Sequence, residues 1–487
     1  MLDPFAPGGE AFPRDTPAPG YPNIQPTAIY QSHEPTLRER LRGKIDHWAK
    51  TYPARLAMIV FASIIAVTTA LLSLPIATQS GRRAPFADAL FNATSAVAVT
   101  GLASVDTANY WSLFGQIVLA TAISIGGMGV MTLASILGLA VSRHLGLTQR
   151  MLAATETKTA ALGQVGSLLR MVILTALTMD FLLFAVLFPR FLTLGYQFKE
   201  ALWYAIFMAI SIFNNAGFVV IPEGLEQFTS DLWVIAPIVV GTAVGALGFP
   251  VIMDLTRNWK QPRRLTLHSK LTITTYITLA IAGSLVIGAL EWNNVNSMGT
   301  LSAQDRIAHS VLAGVNGRSS GISILDESQM HATTWWIQDA LMFIGGGSAS
   351  TGGGIKVTTL AVLALAVLAE ARGDRDIEAF GRRISSSTVR LAVAVTMIGA
   401  FLVGIATMIL LAVTPYSLDR VLFEAISAFG TCGLSTGITA DLPDTGKHTL
   451  SALMYLGRTG PMTIAAALAL RERRRVIRQP QENPIIG

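Results

Sequence analysis

Eight apolar runs dominate the chain, at about residues 55–77, 111–142, 166–194, 231–253, 270–290, 335–369, 386–413 and 448–470. Each is near or above the roughly 20 residues that carry a helix across the hydrocarbon of a bilayer. In lipid every backbone amide and carbonyl must be satisfied inside its own segment, so the runs predict helices, and the whole is an all-α integral membrane protein with eight spans. Composition agrees. Of 487 residues 51% are hydrophobic and 14% charged, too little polar surface to wrap a globule of that size.

The net charge of +6 would suit nucleic acid, but the basic residues sit at the ends of the runs. Arg38, Arg40, Arg42 and Lys44 precede the first run, and Arg143, Arg150 and Lys158 follow the second. Arg257, Lys260, Arg263, Arg264 and Lys270 join the fourth to the fifth, Arg372, Arg375, Arg382 and Arg383 the sixth to the seventh, and Arg471, Arg473, Arg474 and Arg475 follow the last. The positive-inside rule then places both termini in the cytoplasm, with Arg82 and Arg83 as outer exceptions. The single cysteine, Cys432, excludes an intrachain disulfide and a thiolate metal cluster, so no metal site is expected. Residues 1–50 form a polar, proline-rich tail without the apolar core of a signal peptide, and 35–50 are either a basic interfacial helix or a topology anchor. No P-loop, no dinucleotide fingerprint and no nucleophile, base and metal grouping is present, which points away from an enzyme and from a cofactor in this chain.

Between the paired runs, on the outer side, lie four shorter segments that end alike: "SAVAVTGLASVD", "SIFNNAGFVVIPE", "GVNGRSSGISILD" and "SAFGTCGLSTGIT". Their glycines, Gly101, Gly217, Gly321 and Gly433, recur at intervals of 116, 104 and 112 residues, so the chain is four copies of span, short segment, span. Each short segment has room for a helix of about 20 Å, less than the ~30 Å hydrocarbon layer, and must dip in and return. Such returns are tolerated only where they line a water-filled cavity or are buried in protein. Four of them about one axis make a central pore ringed by carbonyls, a cation filter assisted by the negative ends of the short helices. The filter residues are Val99, Thr100 and Gly101; Asn215, Ala216 and Gly217; Ser319, Ser320 and Gly321; Thr431, Cys432 and Gly433. Asp106, Glu223 and Asp326, just beyond the first three glycines, are placed to concentrate cations at the outer mouth.

The four filter segments, with "LMFIGGGSASTGGGIK" and "YLGRTGPMT", resemble the Trk/Ktr/HKT superfamily of potassium transporters over roughly residues 50–475, and most of all its bacterial Ktr-type membrane subunit. The resemblance implies a potassium-channel-like arrangement of four fused membrane-pore-membrane repeats and a homodimer in the bacterial inner membrane. It also implies potassium as the transported ion bound at the filter, and a cytosolic RCK-type ring whose nucleotide-bearing subunits dock on the basic inner loops. Trk-type members carry two extra leading helices, whereas residues 1–50 here are hydrophilic, which favours the Ktr type. Glycine at all four filter positions implies potassium selectivity. Ala98, where threonine is common, and the wording "VNGRSSGIS" depart from the family pattern and leave relative sodium permeability open.

The sixth run spans 335–369 and as one straight helix would measure about 52 Å, so a break is expected. Its polar insert, Gly345, Gly346, Gly347, Ser348, Ala349, Ser350, Thr351, Gly352, Gly353 and Gly354, begins about 15 Å in, near mid-membrane and below the filter. Free backbone there costs several kcal/mol per group in lipid and must face water or protein. The insert is either a passive kink or a gate, and the resemblance implies the gate. Arg458, midway in the last span, is too costly to face lipid and is expected to pair with the insert. Lys356 either serves the gate or snorkels to the interface. Asp180 and Asp339 are intramembrane acids, either hydrogen-bonded structural groups or pore or proton-relay residues, and Gly241 and Gly245 mark close helix packing within or between subunits.

The predicted organisation is a tail at 1–50, repeats at 51–145, 146–260, 261–372 (with the insert at 345–354) and 373–475, and a cytoplasmic tail at 476–487. The competing function is a cation-coupled secondary transporter with alternating access, which predicts inverted repeats. These copies all run in one sense.

Overall fold

The computed structural model describes residues 53–129 and 165–469. The basic clusters at 38–44, 143–158 and 471–475, the second half of the run 111–142 and both predicted tails lie outside them.

Within the described residues each repeat is a span, a short helix and a second span. The first repeat comprises α1 (Pro53–Leu72), α2 (Phe86–Ala98) and α3 (Leu113–Gly127). The second has α4 (Val165–Thr193), α5 (Phe198–Phe213) and α6 (Leu232–Leu247), followed by α7 (Phe249–Asn258). The third has α8 (Leu267–Glu291), α9 (Ala303–Asn316), α10 (Ala332–Phe343) and α11 (Val357–Arg372). After a hairpin of β1 (Ile377–Ala379) and β2 (Arg382–Ile384), the fourth has α12 (Ser386–Val413), α13 (Leu418–Gly430) and α14 (Asp444–Ala469). The first spans α4, α8 and α12, of 29, 25 and 28 residues, are long enough to cross a membrane. Their outward faces are bare hydrocarbon, with Phe181 66%, Leu285 68% and Met408 72% exposed, as lipid contact requires.

The short helices α2, α5, α9 and α13, with 13, 16, 14 and 13 residues, cannot span. Each carries an acid in its first turn, Asp88, Glu200, Asp305 and Asp419 in order, which suits the positive end of a helix. Their opposite, negative ends lead into the four glycine-bearing returns. Every short helix packs on the inner span of the preceding repeat: α5 on α3, α9 on α6, α13 on α10, and α2 on α14, which closes the circle. A ring of four repeats results from one chain.

Two runs differ from straight spans. The sixth breaks as expected between Phe343 and Val357, and an Ile344–Ile355 bridge pinches the two broken ends together. The fourth, expected as one span over 231–253, is instead bent by 95° at Gly248. There Gly248 takes φ +92, a conformation that disfavours side-chain-bearing residues, and Pro250 sits in the first turn of the new helix. The first run also ends early, at Leu72, with Pro75–Ala77 forming a separate 3-10 turn.

Candidate ion-conduction site

The four repeat glycines meet. All take positive φ, +97 at Gly101, +75 at Gly217, +60 at Gly321 and +97 at Gly433, so their carbonyls can line up along one direction. A methyl group on Gly101 would lie 2.6 Å from the Ala216 carbonyl oxygen, and one on Gly217 would lie 2.9 Å from the Ser320 oxygen. On Gly321 it would reach the Cα of Gly433 at 2.7 Å, and on Gly433 the Cα of Gly101 at 3.0 Å. Each glycine thus abuts the next repeat's return, and the fourth abuts the first. The carbonyls of Thr100, Ala216, Ser320 and Cys432 each press on a neighbouring repeat's glycine.

Behind the ring, serines hold the returns. Ser95 accepts from the Gly101 amide at 3.0 Å, Ser427 does the same for Gly433 at 3.0 Å, and Ser211 donates to the Phe218 carbonyl at 2.7 Å. The sequence reading passed over these residues, although each stands six positions before its glycine and opens three of the four quoted segments. Further braces follow the glycines. Asn92 donates to Ser104 at 2.9 Å, Ser104 to Asp88 at 2.8 Å, and Lys447 pairs with Asp88 at 2.7 Å. Glu424, buried in α13, accepts from the Thr436 amide at 3.0 Å and from the Thr439 hydroxyl at 2.7 Å. Inner-span glycines complete the packing: Gly126, Gly245 and Gly457 press on the carbonyls of Val97, Phe213 and Phe429, each four residues before a ring glycine. Gly241 likewise meets Ile212 and Leu183, so the Gly241 and Gly245 contact is made within the chain.

The sixth-run insert lies against the base of this ring. Thr351 Oγ1 accepts from Asn215 Nδ2 at 2.6 Å, and Thr431 Oγ1 accepts from the Gly353 amide at 2.8 Å. A methyl on Gly352 would sit 2.8 Å from Ser319 Cβ. The insert therefore touches three of the four returns at the residue two before the glycine. Its other edge is stitched to the bent fourth run, by Gly347 N to Ala246 O at 2.7 Å and Phe249 N to Ala349 O at 3.2 Å. That contact explains the bend at Gly248, where a side chain would strike the Ser348 carbonyl at 2.6 Å.

Arg458 is 4% exposed and donates to the Thr351 carbonyl of the insert, the pairing expected, and also, at 2.7 Å, to the Gly126 carbonyl, which ties the insert to the first repeat. Lys356 donates to the Gly352 carbonyl at 2.7 Å, which ties it to the insert rather than to the interface. The outer acids Asp106 and Asp326 cap short turns, accepting from the amides of Ala108 and Ser328 at 2.9 Å in each case. Glu223 is exposed at the same face. Asp180 on α4 and Asp339 on α10 lie outside the ring, each with one carboxylate oxygen unpartnered among the described residues.

Chemically, the ring offers neutral oxygens in quantity and no convergent acids. Among the described residues no group of three or more His, Cys, Asp or Glu can hold a metal. Thr100 Oγ1, Ser319 Oγ and Asn215 Oδ1 are buried with no protein partner among the described residues. A buried oxygen left unsatisfied costs about 1–3 kcal/mol, so these atoms suit a conduit that presents oxygen to water or to a monovalent cation.

The family model described as "Cation transport protein", TrkH, matches residues 41–475. The chain is 34% identical over 440 residues to Ktr system potassium uptake protein D of Bacillus subtilis (strain 168), covering 89% of this chain and 97% of that one. It is 34% identical over 447 residues to Ktr system potassium uptake protein B of Vibrio alginolyticus, with 91% and 97% covered. It is 30% identical over 462 residues to potassium/sodium uptake protein NtpJ of Enterococcus hirae, with 93% and 99% covered. Among solved structures the potassium transporter TrkH from Vibrio parahaemolyticus shares the fold, with a TM-score of 0.65 at 16% identity and 85% and 84% of the two chains covered. With its four re-entrant returns and its matching length, the chain belongs to the TrkH family of cation transport proteins, membrane transporters rather than enzymes.

Proposed function

We propose that this chain is the potassium-translocating membrane subunit of a Ktr-type uptake system. The observation that carries the proposal is the closed ring of four positive-φ glycines, each packed on a neighbouring repeat's carbonyl. Rings of carbonyl oxygen replace the hydration shell of a monovalent cation. The relatives' names, potassium uptake proteins in Bacillus and Vibrio and a potassium/sodium uptake protein in Enterococcus, favour potassium as that ion.

The insert at 345–354 is the gate. It sits against the ring base, is held by Arg458 and Lys356, and consists of small residues that can withdraw without dragging bulky side chains. A cytosolic RCK-type ring, carrying the nucleotide, docks on the basic inner loops and moves the gate. The subunit works as a homodimer in the bacterial inner membrane with both termini in the cytoplasm. Alternating access is disfavoured, because inverted repeats would place binding sites at antiparallel broken helices, whereas these four repeats close head to tail.

Growth and rubidium uptake of potassium-uptake-deficient cells test the proposal. Rescue at low external potassium is expected, and unchanged growth with well-expressed protein contradicts it. Deleting part of 345–354 raises flux and weakens dependence on the cytosolic partner; a folded deletion that conducts less rules out a plug. Gly101→Ser lowers potassium over sodium discrimination, since its added side chain disturbs one quarter of the ring.

A further inference from the structure

The third return is built differently from the other three. Val315 stands where Ser95, Ser211 and Ser427 hold their returns, six residues before the glycine. The residue two before the glycine is left-handed in the other copies, at φ +57 in Val99, +58 in Asn215 and +47 in Thr431, but Ser319 is not. In place of those devices the third return has Asn316, whose Nδ2 donates to the Ile322 carbonyl as Ser211 does to that of Phe218, and Arg318.

Arg318 is 0% exposed and stands one residue before the filter triplet. Its Nη1 donates to the Tyr276 carbonyl on α8 at 2.9 Å, and its guanidinium lies 3.6 Å from the centre of the Tyr276 ring. Its Nε and Nη2 have no hydrogen-bond partner, and no carboxylate pairs with it, among the described residues. Among the described residues the titratable groups its charge acts on are the Tyr276 phenol and the Cys432 thiol, the latter in the fourth filter segment. Neither is an anion near neutral pH. A guanidinium does not lose its proton in a protein, so the charge is permanent.

A buried cation without a counter-ion acts over distance in a low dielectric, and Arg318 directly precedes the filter residues Ser319 and Ser320, with Cys432 of the fourth filter segment among the groups its charge acts on. We propose that the fixed positive charge of Arg318 holds down cation occupancy of the filter, setting the apparent affinity for potassium. This inference rests on the transport reading above. Tethering to Tyr276 positions the charge; a purely structural tether would make the charge irrelevant.

The test compares potassium affinity in Arg318→Gln, Arg318→Lys and wild type, by uptake kinetics in cells and by potassium-dependent thermal stabilisation of purified protein. Arg318→Gln should tighten apparent potassium affinity about tenfold, the size expected for unit charges roughly 10 Å apart at an effective dielectric of about 20, with a lower maximal rate. Arg318→Lys should keep wild-type affinity at pH values low enough to hold its buried ammonium protonated. As pH rises its buried ammonium loses its proton, and affinity should then tighten toward the glutamine value beyond any change in wild type. If both variants bind potassium as wild type does, or both shift alike at every pH, the proposal is wrong. Should Arg318→Gln fail to fold, the pH profile of Arg318→Lys decides alone: tightening supports the charge and a profile parallel to wild type overturns it. Absence of potassium uptake by wild type would instead count against the transport reading, while the affinity ratio between variants still judges Arg318.

Discussion

The first and fourth repeats hold their quarters of the ring in the same way, and the third does not. In the former pair a serine six before the glycine accepts its amide, a left-handed residue turns the chain, and a polar side chain from the short helix, Asn92 or Glu424, braces the strand beyond. The third has Val315 in place of the serine, lacks the left-handed residue, is held by Asn316 on the Ile322 carbonyl and by Arg318 on Tyr276, and has its inner span broken by the insert. In the fourth, the inner span α14 runs on through Gly457 and Arg458 without a break. A near-fourfold lining is thus combined with a lopsided support. Symmetry serves the surface that an ion would meet, and asymmetry is confined to the layer behind and below it.

The strongest way to break the comparison is to spoil the symmetric part. Gly433→Ala forces a side chain onto φ +97 and toward the first repeat's return, and at about 3 kcal/mol of local strain it should cut rubidium uptake about 100-fold. Uptake within a factor of two of wild type would mean that the ring is not the conduit. Next comes the asymmetric part. Arg458→Gln removes charged donors from the Thr351 and Gly126 carbonyls, bonds worth about 1.5–3 kcal/mol each, and should raise partner-independent flux by about tenfold in proteoliposomes. A fall in that flux with intact folding would contradict a restraining role.

A sharper contrast uses the serines. Ser427→Ala or Ser95→Ala removes one hydrogen bond to a filter amide, about 1 kcal/mol, and should lower potassium over sodium selectivity by about fivefold. Val315→Ala, at the equivalent place in the third repeat, should leave that ratio unchanged. Equal effects at all three sites would erase the proposed difference between repeats. The smallest effect is expected away from the ring: Arg190 and Asp231 pair at 2.7 Å with the arginine 32% and the aspartate 9% exposed, and an asparagine can still cap the Trp233 amide as Asp231 does at 3.0 Å, so Asp231→Asn should cost about 1 kcal/mol of thermal stability and leave flux alone.

Much of this was legible in the residues. Long uninterrupted runs such as 166–194, 270–290 and 386–413 match α4, α8 and α12 to within a few positions, because hydropathy and length alone decide a lipid-facing helix. The four glycines and the broken sixth run were legible too, since repetition and an overlong apolar stretch are both visible in one dimension. The bend at Gly248 was not. Hydropathy continues across Gly248, Phe249 and Pro250, and only contact with the insert, nearly 100 residues later, fixes that turn. The supporting serines were written in the quoted segments, yet a serine in an apolar helix bonds its own backbone as often as a neighbour's, so their part emerged only with the folded returns. Arg318 stood in plain view inside "GVNGRSSG", but that it is fully buried beside Tyr276 depends on how α8 packs against α9.

The most direct measurement is the position of a bound ion. Rubidium or thallium anomalous density, collected from protein saturated with that ion, should show a peak on the axis between the Thr100, Ala216, Ser320 and Cys432 carbonyls. A saturated protein whose density lies away from those four carbonyls, or that shows none between them, would contradict the ring as the ion's path.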